Sequence, residues 1–504
     1  MKASLAGKVF LGRSGVAATE HPLASLAACR AMQNGGNAFD GAAAASFVLG
    51  VTQPHLNGLG GDFFGLFYLA KERRVYCLNS SGWSFSSMTV ESLRRAGHRT
   101  VPRSGPASVV VPGQVAGVHA MQQRFGALDF SRVLDDATRL AEDGFPVGGG
   151  LVRSLRAALP ELSEGAKRTF GADEGTSREG GILKQRALAK TLRDIAKIGA
   201  AGFYSGAPAK AIGEAMTRAG LEIGEEDLAS FEPEWCEPLV MPYVGTEVFE
   251  VPPNSMGATT LLILEHLKTA DLSSLGPRSG ERVRATVEAA ESAYAARDAK
   301  LGDPRFVPFN LDEFLKSDGC VGTQKRIDRA DTTYFAVADR EGNLLSCIQS
   351  IFHHFGSKVF LDDCGFFLNN RGSAFVMDGP NKLEPRKRPL HTLSSLILMK
   401  DGRPRFAAGC SGGEYRPQQH ALLVTNIVDY SMDLQRAIDF PRFLWDGRAD
   451  VTVEEGFDGL DRLRMRHEVI GYPGATGVAQ GVEVMEECVK GVCDVRGEGL
   501  PVGF

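Results

Sequence analysis

The stretch DTTYFAVADREGNLLSCIQS, residues 331–350, decides how the rest of the chain is read. Thr333–Asp339 is rich in β-branched and aromatic residues, Glu341–Gly342–Asn343 is a turn, and Leu344–Ser350 is a second β-rich run. The pattern predicts a hairpin with Thr332 at its head and Ser350 at the end of the partner strand, near enough to meet it. A threonine hydroxyl is a poor nucleophile without a base. An N-terminal threonine supplies its own, because the free α-amine can take the proton. That chemistry requires a peptide cut between Asp331 and Thr332. Spacing alone favours an ordinary strand start, since threonine favours strands.

A second hairpin follows, Leu393–Met399 and Arg405–Ala408 around the turn Asp401–Gly402. It runs into Gly409–Cys410–Ser411–Gly412–Gly413. Consecutive free N–H groups at Gly412 and Gly413 can form an oxyanion hole; a plain glycine turn is the alternative. Working outward, residues 22–34 read as a helix stopped by Gly35–Gly36. Asp40 is expected to open an alanine-rich buried helix over 41–49, and Ser131 to cap one over 131–142 that ends at Gly144. Leu188, Leu192 and Ile195 mark a helix closed by Gly199, and Val283, Val287, Ala290 and Tyr294 mark another. The first part is thus expected to be helix-rich and the C-terminal third strand-rich. Stretches 163–181, 273–280, 318–331 and 376–388 read as irregular.

Composition narrows the function classes. The chain has 504 residues, 43% hydrophobic and 23% charged, so a large globular core is expected and disorder is not. A net charge of −5 argues against a general nucleic-acid binder, which needs a basic footprint. Nine cysteines, with no CxxC pair, argue for reduced thiols rather than a zinc cage or disulfide framework. No apolar run is long enough for a membrane span, and the start lacks the pattern of a signal peptide, so a cytoplasmic protein is expected. Gly58–Leu59–Gly60–Gly61–Asp62 lacks the spacing of a phosphate loop and reads as a tight turn. His353–His354 are neighbours that a strand would point to opposite sides, which does not suit a shared metal.

Taken together the segments resemble the gamma-glutamyltransferase family of N-terminal-nucleophile hydrolases. The resemblance runs in family order over nearly the whole chain. It is carried by GLGGDFF (58–64), VPGQVAGVHAM (111–121), GFYSG (202–206), PPNSMG (252–257), LGDPRFVP (301–308), the 331–350 hairpin, LNNRG (368–372), RKRPLHT (386–392), GCSGG (409–413) and IDFPRF (438–443). It implies an α+β fold, a four-layer αββα sandwich. It also implies self-cleavage between Asp331 and Thr332 into a large subunit, 1–331, and a small subunit, 332–504. Thr332 matches the nucleophile, Ser350 a supporting hydroxyl that hydrogen-bonds it, and Gly412 and Gly413 the oxyanion-hole glycines. No metal or organic cofactor is implied.

The residues that read a gamma-glutamyl group do not carry over. The family's carboxylate-binding arginine aligns near Ser81, its ammonium-binding acid with Ala374, and a neighbouring glutamine with Arg371. Its paired serines become His391–Thr392, while Asn369 and Asn370 remain. The segment between Phe375 and Arg388 is short, implying a shortened lid. Ser81, Asn370, Arg371, His391 and Thr392 are therefore the substrate-binding candidates. Arg371 could hold an acyl carboxylate or make a structural ion pair. Another arginine, for example Arg103, reaching into the pocket would restore the missing clamp.

The departures resemble the amidohydrolase branch of the family, with its oxamate amidohydrolase and cephalosporin acylase members. The reading is a self-processing enzyme acting on a small-molecule amide. Two alternatives stay open, a true gamma-glutamyltransferase or glutathione hydrolase with a rebuilt pocket, and an uncleaved binding protein. The expected partners are the two subunits of one precursor; a homodimer is compatible with this.

Overall fold

A computed structural model describes residues 7–171, 176, 178–317, 326–328, 330, 332–463 and 465–504, with the side chains of Glu225 and Arg462 left aside. Asp331, the residue before the expected cut, lies outside the described residues. So does most of 318–331.

Fourteen strands make two seven-stranded sheets. In chain order they are β1 Lys8–Gly12, β2 Gly15–Thr19, β3 Asp62–Leu69, β4 Arg74–Ser80, β5 Glu234–Cys236, β6 Leu239–Tyr243 and β7 Thr246–Glu250. There follow β8 Thr333–Asp339, β9 Leu344–Ser350, β10 Leu396–Lys400, β11 Arg403–Cys410, β12 Ala479–Val484, β13 Val489–Cys493 and β14 Pro501–Gly503. One sheet runs β1-β13-β12-β11-β10-β7-β6 and the other β14-β2-β8-β9-β3-β4-β5. Every neighbouring pair in them is antiparallel. Both sheets draw on the first half of the chain, so strands are not confined to the C-terminal third.

Alternation explains the layers. In β8, Phe335 and Val337 join the apolar layer outside their sheet, with the helices α1 Pro22–Gln33 and α2 Ala38–Thr52. Tyr334, Ala336 and Ala338 join the layer between the sheets, with Ile397 and Ala407 of β10 and β11. Both faces are buried, so the strand is apolar throughout. A third layer sits outside the other sheet under helices α3 Gly257–Leu267, α4 Gly280–Lys300 and α5 Arg416–Val428. Helices, two sheets and helices again make the expected αββα sandwich.

The helix expectations need local correction. Asn37, not Asp40, caps α2, its Oδ1 accepting from the Phe39 N–H at 2.9 Å. Asp40 is the third helical residue, buried, and accepts from the N–H groups of Asn37 (2.9 Å) and Ala127 (2.8 Å). The expected 131–142 helix is two, Phe130–Val133 and Asp135–Asp143, broken at buried Leu134, and Ser131 lies inside the first. Of the stretches read as irregular, 163–181 contains the helix Glu164–Phe170.

A buried charge cluster ties the C-terminal strands together. Arg496 donates to Glu454 from Nε (2.8 Å) and Nη2 (2.5 Å), and to Asp494 from Nη1 (3.0 Å). Arg442 Nη2 donates to the other Asp494 oxygen at 2.5 Å. Burial pushes both carboxyls up, but the two arginines outweigh it and hold Asp494 and Glu454 below their ordinary values. Removing one partner leaves an uncompensated buried charge, so Arg496→Met should cost about 3–5 kcal/mol in chemical denaturation at pH 7. Because the folded values are depressed, this stability is fully present above pH ~4.5 and is lost as pH falls through the folded values. The gap between Arg496→Met and wild type should therefore narrow on acidification.

Candidate active site

The β8–β9 ladder pairs Thr333 with Gln349. One step further, the same register sets Thr332 opposite Ser350. Thr333 is locked, accepting from Asn57 Nδ2 (2.9 Å) and donating to Gln53 Oε1 (3.2 Å), both on the side of α2. Alternation turns Thr332 the other way, onto the face that Tyr334 shares with the second sheet. Thr332 is 1% exposed and its Oγ1 has no hydrogen-bond partner. The expected bond from Ser350 to Thr332 is thus not made in the continuous chain. Ser350 Oγ instead accepts from the Phe352 N–H at 2.7 Å.

The glycine loop after β11 packs on the segment that leads into this threonine. Gly412 (φ +129°) and Gly413 (φ +60°) are both in the left-handed region that glycine alone enters cheaply. A Cβ on Gly413 would stand 2.4 Å from the nitrogen of Ala330, so the loop lies directly on the backbone just ahead of Thr332. Two hydrogen bonds hold it there. Glu414 N–H donates to the Asp328 carbonyl (3.1 Å), and Asp328 N–H donates to Glu414 Oε2 (2.9 Å). Among the described residues, neither the Gly412 nor the Gly413 N–H has an acceptor.

The substrate candidates gather around Asp62, at the start of β3, which the sequence reading passed over as the end of a turn. It is fully buried. Asp62 Oδ2 accepts from His391 Nε2 (3.0 Å) and from Arg371 Nε (3.4 Å), and Oδ1 from the Gly82 N–H (2.9 Å). His391 Nδ1 accepts from the Leu393 N–H at 3.1 Å, which leaves the ring proton on Nε2 and the imidazole neutral. Burial first, then the Arg371 charge, pushes His391 down to about 3. Burial raises Asp62, but the donors around it outweigh this and hold it ionised. Arg371 is pushed down to about 10 by burial and stays cationic. Its Nη1 donates to Thr392 Oγ1 (3.0 Å), and it lies over the Phe352 ring at 4.1 Å.

Arg371 is therefore in an ion pair, the structural one of its two expected roles, with one donor left over. Ser81 is buried and held by the Asn254 side chain at 3.1 Å. Asn370 Nδ2 donates to the Arg103 carbonyl (2.6 Å) and Oδ1 accepts from the His353 N–H (3.1 Å). Arg103 itself reaches Asp328, pairing with Oδ2, which also contacts His353 Nε2 at 3.1 Å. No metal-binding cluster of His, Cys, Asp or Glu occurs among the described residues.

The αββα sandwich is the architecture of a class of amide-hydrolysing enzymes. The profile of the gamma-glutamyltranspeptidase family matches residues 24–504, and the chain belongs to that family. It is 35% identical to the glutathione hydrolase-like YwrD proenzyme of Bacillus subtilis (strain 168), over 99% of this chain and 100% of that protein. It is 32% identical to the oxamate amidohydrolase proenzyme of Klebsiella pneumoniae subsp. pneumoniae, over 97% and 98%. The solved cephalosporin acylase from Bacillus halodurans superposes with a TM-score of 0.92 at 28% identity, covering 100% of this chain and 98% of that one.

Asp62 is what lets a buried guanidinium stand beside the strand head. Asp62→Asn should destabilise the protein by about 3–5 kcal/mol, because it strands the Arg371 charge. Adding Arg371→Met should recover a large part of that loss. Urea denaturation of the two single variants and the double variant measures this, and additive losses would show that the pair is not coupled.

Proposed function

We propose that the chain is a self-processing amidohydrolase whose nucleophile is Thr332. The observation that carries this reading is the buried Thr332 hydroxyl, free of partners, with the Gly412–Gly413 loop packed on the backbone just before it. In the precursor, Thr332 Oγ1 attacks the Asp331 carbonyl, the peptide nitrogen leaves, and water hydrolyses the ester. The products are a large subunit, 1–331, and a small one, 332–504. The freed Thr332 amine then serves as base toward its own hydroxyl and as acid toward the leaving amine. Gly412 and Gly413 N–H groups hold the oxyanion, an effect worth about 3 kcal/mol per donor. Water releases the acyl group. Ser350, opposite in register, supports the hydroxyl once Thr332 is a chain end and can turn toward it. We place the enzyme in the cytoplasm, where its thiols stay reduced.

The substrate in this reading is an amide without a gamma-glutamyl head. Ser81 brings no charge for an α-carboxylate and is already held by Asn254. Ala374 brings none for an α-ammonium. Each group would lose water without a partner. The names of the oxamate amidohydrolase and cephalosporin acylase relatives agree with a family pocket that has changed its acyl group. One observation favours a second reading, glutathione hydrolysis through a rebuilt clamp. Arg103 stands at the edge of the site, engaged by Asp328. If release of the cut end frees that guanidinium, it takes the place of the missing arginine.

Purified protein should run as two bands, the smaller beginning at Thr332, and Thr332→Ala should stay full length. A different N-terminus on the small band would move the nucleophile. Ser350→Ala should slow processing and turnover by ~10- to 1000-fold, the scale of one oriented active-site hydrogen bond, with Ser350→Thr active. In a panel of glutathione, oxamate, glutaryl amides and N-acyl amino acids, kcat/KM for glutathione should fall about 10⁴-fold below the best substrate. Glutathione as best substrate, lost in Arg103→Gln, would establish the second reading.

A further inference from the structure

Two thiols face each other at the edge of one sheet. β5 is the last strand of its sheet and pairs with β4 alone. The register sets Cys236, the last residue of β5, directly opposite Cys77. Side chains at such a position share a face, and their Cα atoms stand about 4.5–5.5 Å apart, inside the span that a disulfide bridges. Cys236 Sγ lies 3.4 Å from Cys77 Sγ, and both are free thiols. Cys488, the other described cysteine that is not buried, has Met485 Sδ beside it at 3.8 Å.

The two sulfurs are unequal. Cys236 is half-buried, while Cys77 is wholly buried in the layer between the sheets. Burial first, then the neighbouring Cys236, pushes the Cys77 thiol well up, so it stays protonated. An oxidant therefore meets Cys236 first, and Cys77 is the thiol at hand to resolve what forms. Bringing the sulfurs to bonding distance, about 2 Å, asks for a small shift. β5 can supply it, being three residues long with a neighbouring strand on one side only. Such a bond holds more than one rung. Glu234, two residues before Cys236, pairs with Arg388, whose Nε donates to the Ser81 carbonyl at 3.1 Å. The chain between the cysteines includes the helices Gln114–Phe125, Arg186–Ile198 and Ala207–Arg218, and closing so long a loop restricts the unfolded chain strongly.

We propose that Cys77 and Cys236 are a modification site, a dithiol that a peroxide converts to a reversible disulfide stapling β5 to β4. The Cys236 sulfur attacks one peroxide oxygen. The S–O bond forms, the O–O bond breaks, and water leaves with the Cys236 thiol proton, giving a sulfenic acid. The Cys77 sulfur then attacks the Cys236 sulfur. The S–S bond forms, the S–O bond breaks, and a second water leaves with the Cys77 thiol proton. The pair loses two electrons and the peroxide gains them. In a reducing compartment the thiols are the resting state, and the bond marks exposure to peroxide. Both cysteines precede residue 331, so the site stands apart from the proposed cut and from the amidohydrolase reading.

The test treats the reduced full chain with hydrogen peroxide, blocks the remaining thiols with N-ethylmaleimide and maps the peptides. A Cys77–Cys236 linked peptide should be the main disulfide, return to thiols with dithiothreitol and be absent in Cys236→Ser. Its yield should fall at least ~10-fold when the peroxide is added in urea, where the fold no longer holds the two sulfurs together. Equal yield in urea overturns the proposal. So does wild type in which Cys236 goes on to a sulfinic acid while Cys77 remains a thiol. A second measurement reads the staple itself. Peroxide should raise the Tm of wild type by ~3 °C or more relative to its effect on Cys236→Ser, and dithiothreitol should reverse the gain. A linked protein with an unchanged or lower Tm overturns the staple.

Discussion

The antiparallel ladder through β8 is the constraint on which the rest depends. β8 is hydrogen-bonded on one side to β2 and on the other to β9. Its residues are buried on both faces, under helices on one and under the second sheet on the other. A strand held in this way has no freedom to slip, because a one-residue shift would exchange the two faces along its whole length. Thr332 stands at the first position beyond the ladder, so it inherits the precision of the ladder without its hydrogen bonds. Thr333, one residue on, is spent on Asn57 and Gln53. A single step of strand alternation separates that bonded threonine from Thr332, whose hydroxyl has no partner. The same ladder bears on the proposed cut. β2 and β3 precede residue 331 and flank β8 and β9, so cleavage would leave the two pieces joined within one sheet.

The second sheet supplies what the strand head lacks. β11 ends at Cys410, and the chain then turns through two glycines whose positive φ values aim their amides away from any ladder. A side chain on Gly413 would strike the backbone of Ala330. The loop needs glycine there for close approach as much as for conformation. Arg416 reaches back from the first turn of α5 to the Cys410 carbonyl. Loop, strand end and helix are thereby coupled through one guanidinium.

Much of this architecture was legible because it is local. Both hairpins follow from β-rich runs and turn residues, and the first matches the observed strands residue for residue. Gly144 and Gly199 end their helices in the left-handed region, as glycine just past a helix should. The errors fall where tertiary contacts override local preference. Asp40 looks like a cap, but it is turned inward to hold the 126–128 turn, and Asn37 caps in its stead. Leu134 breaks an apparently continuous helix because it is wholly buried at the junction of two. The catalytic candidates were legible through their resemblance to a family, not through spacing. Asp62 and Arg416 were legible in neither way. Nothing in the GLGGD turn or in the GGEYRPQ helix start announces a charge, a burial or a partner. Their roles exist only once β3, the 391–392 segment and the start of α5 are brought together.

In the proposed reading, that juxtaposition lets the pocket change its acyl group and keep its chemistry. The proposed nucleophile and the proposed oxyanion loop are positioned by backbone, through ladder register and glycine conformation. In the same reading the acyl group is read by side chains. An arginine at 371 can enter this interior only with a carboxylate to receive it, and Asp62 is that carboxylate, itself steadied by the Gly82 N–H and by a histidine kept neutral. Once Asp62 is committed, a further buried cation depends on other groups, and Glu250 and Glu20 are the carboxylates whose charge acts on Arg416. Arg416 is fully buried and, among the described residues, its hydrogen bonds go to the carbonyl oxygens of Cys410 and Thr392, so it ties the glycine loop to the 391–392 segment.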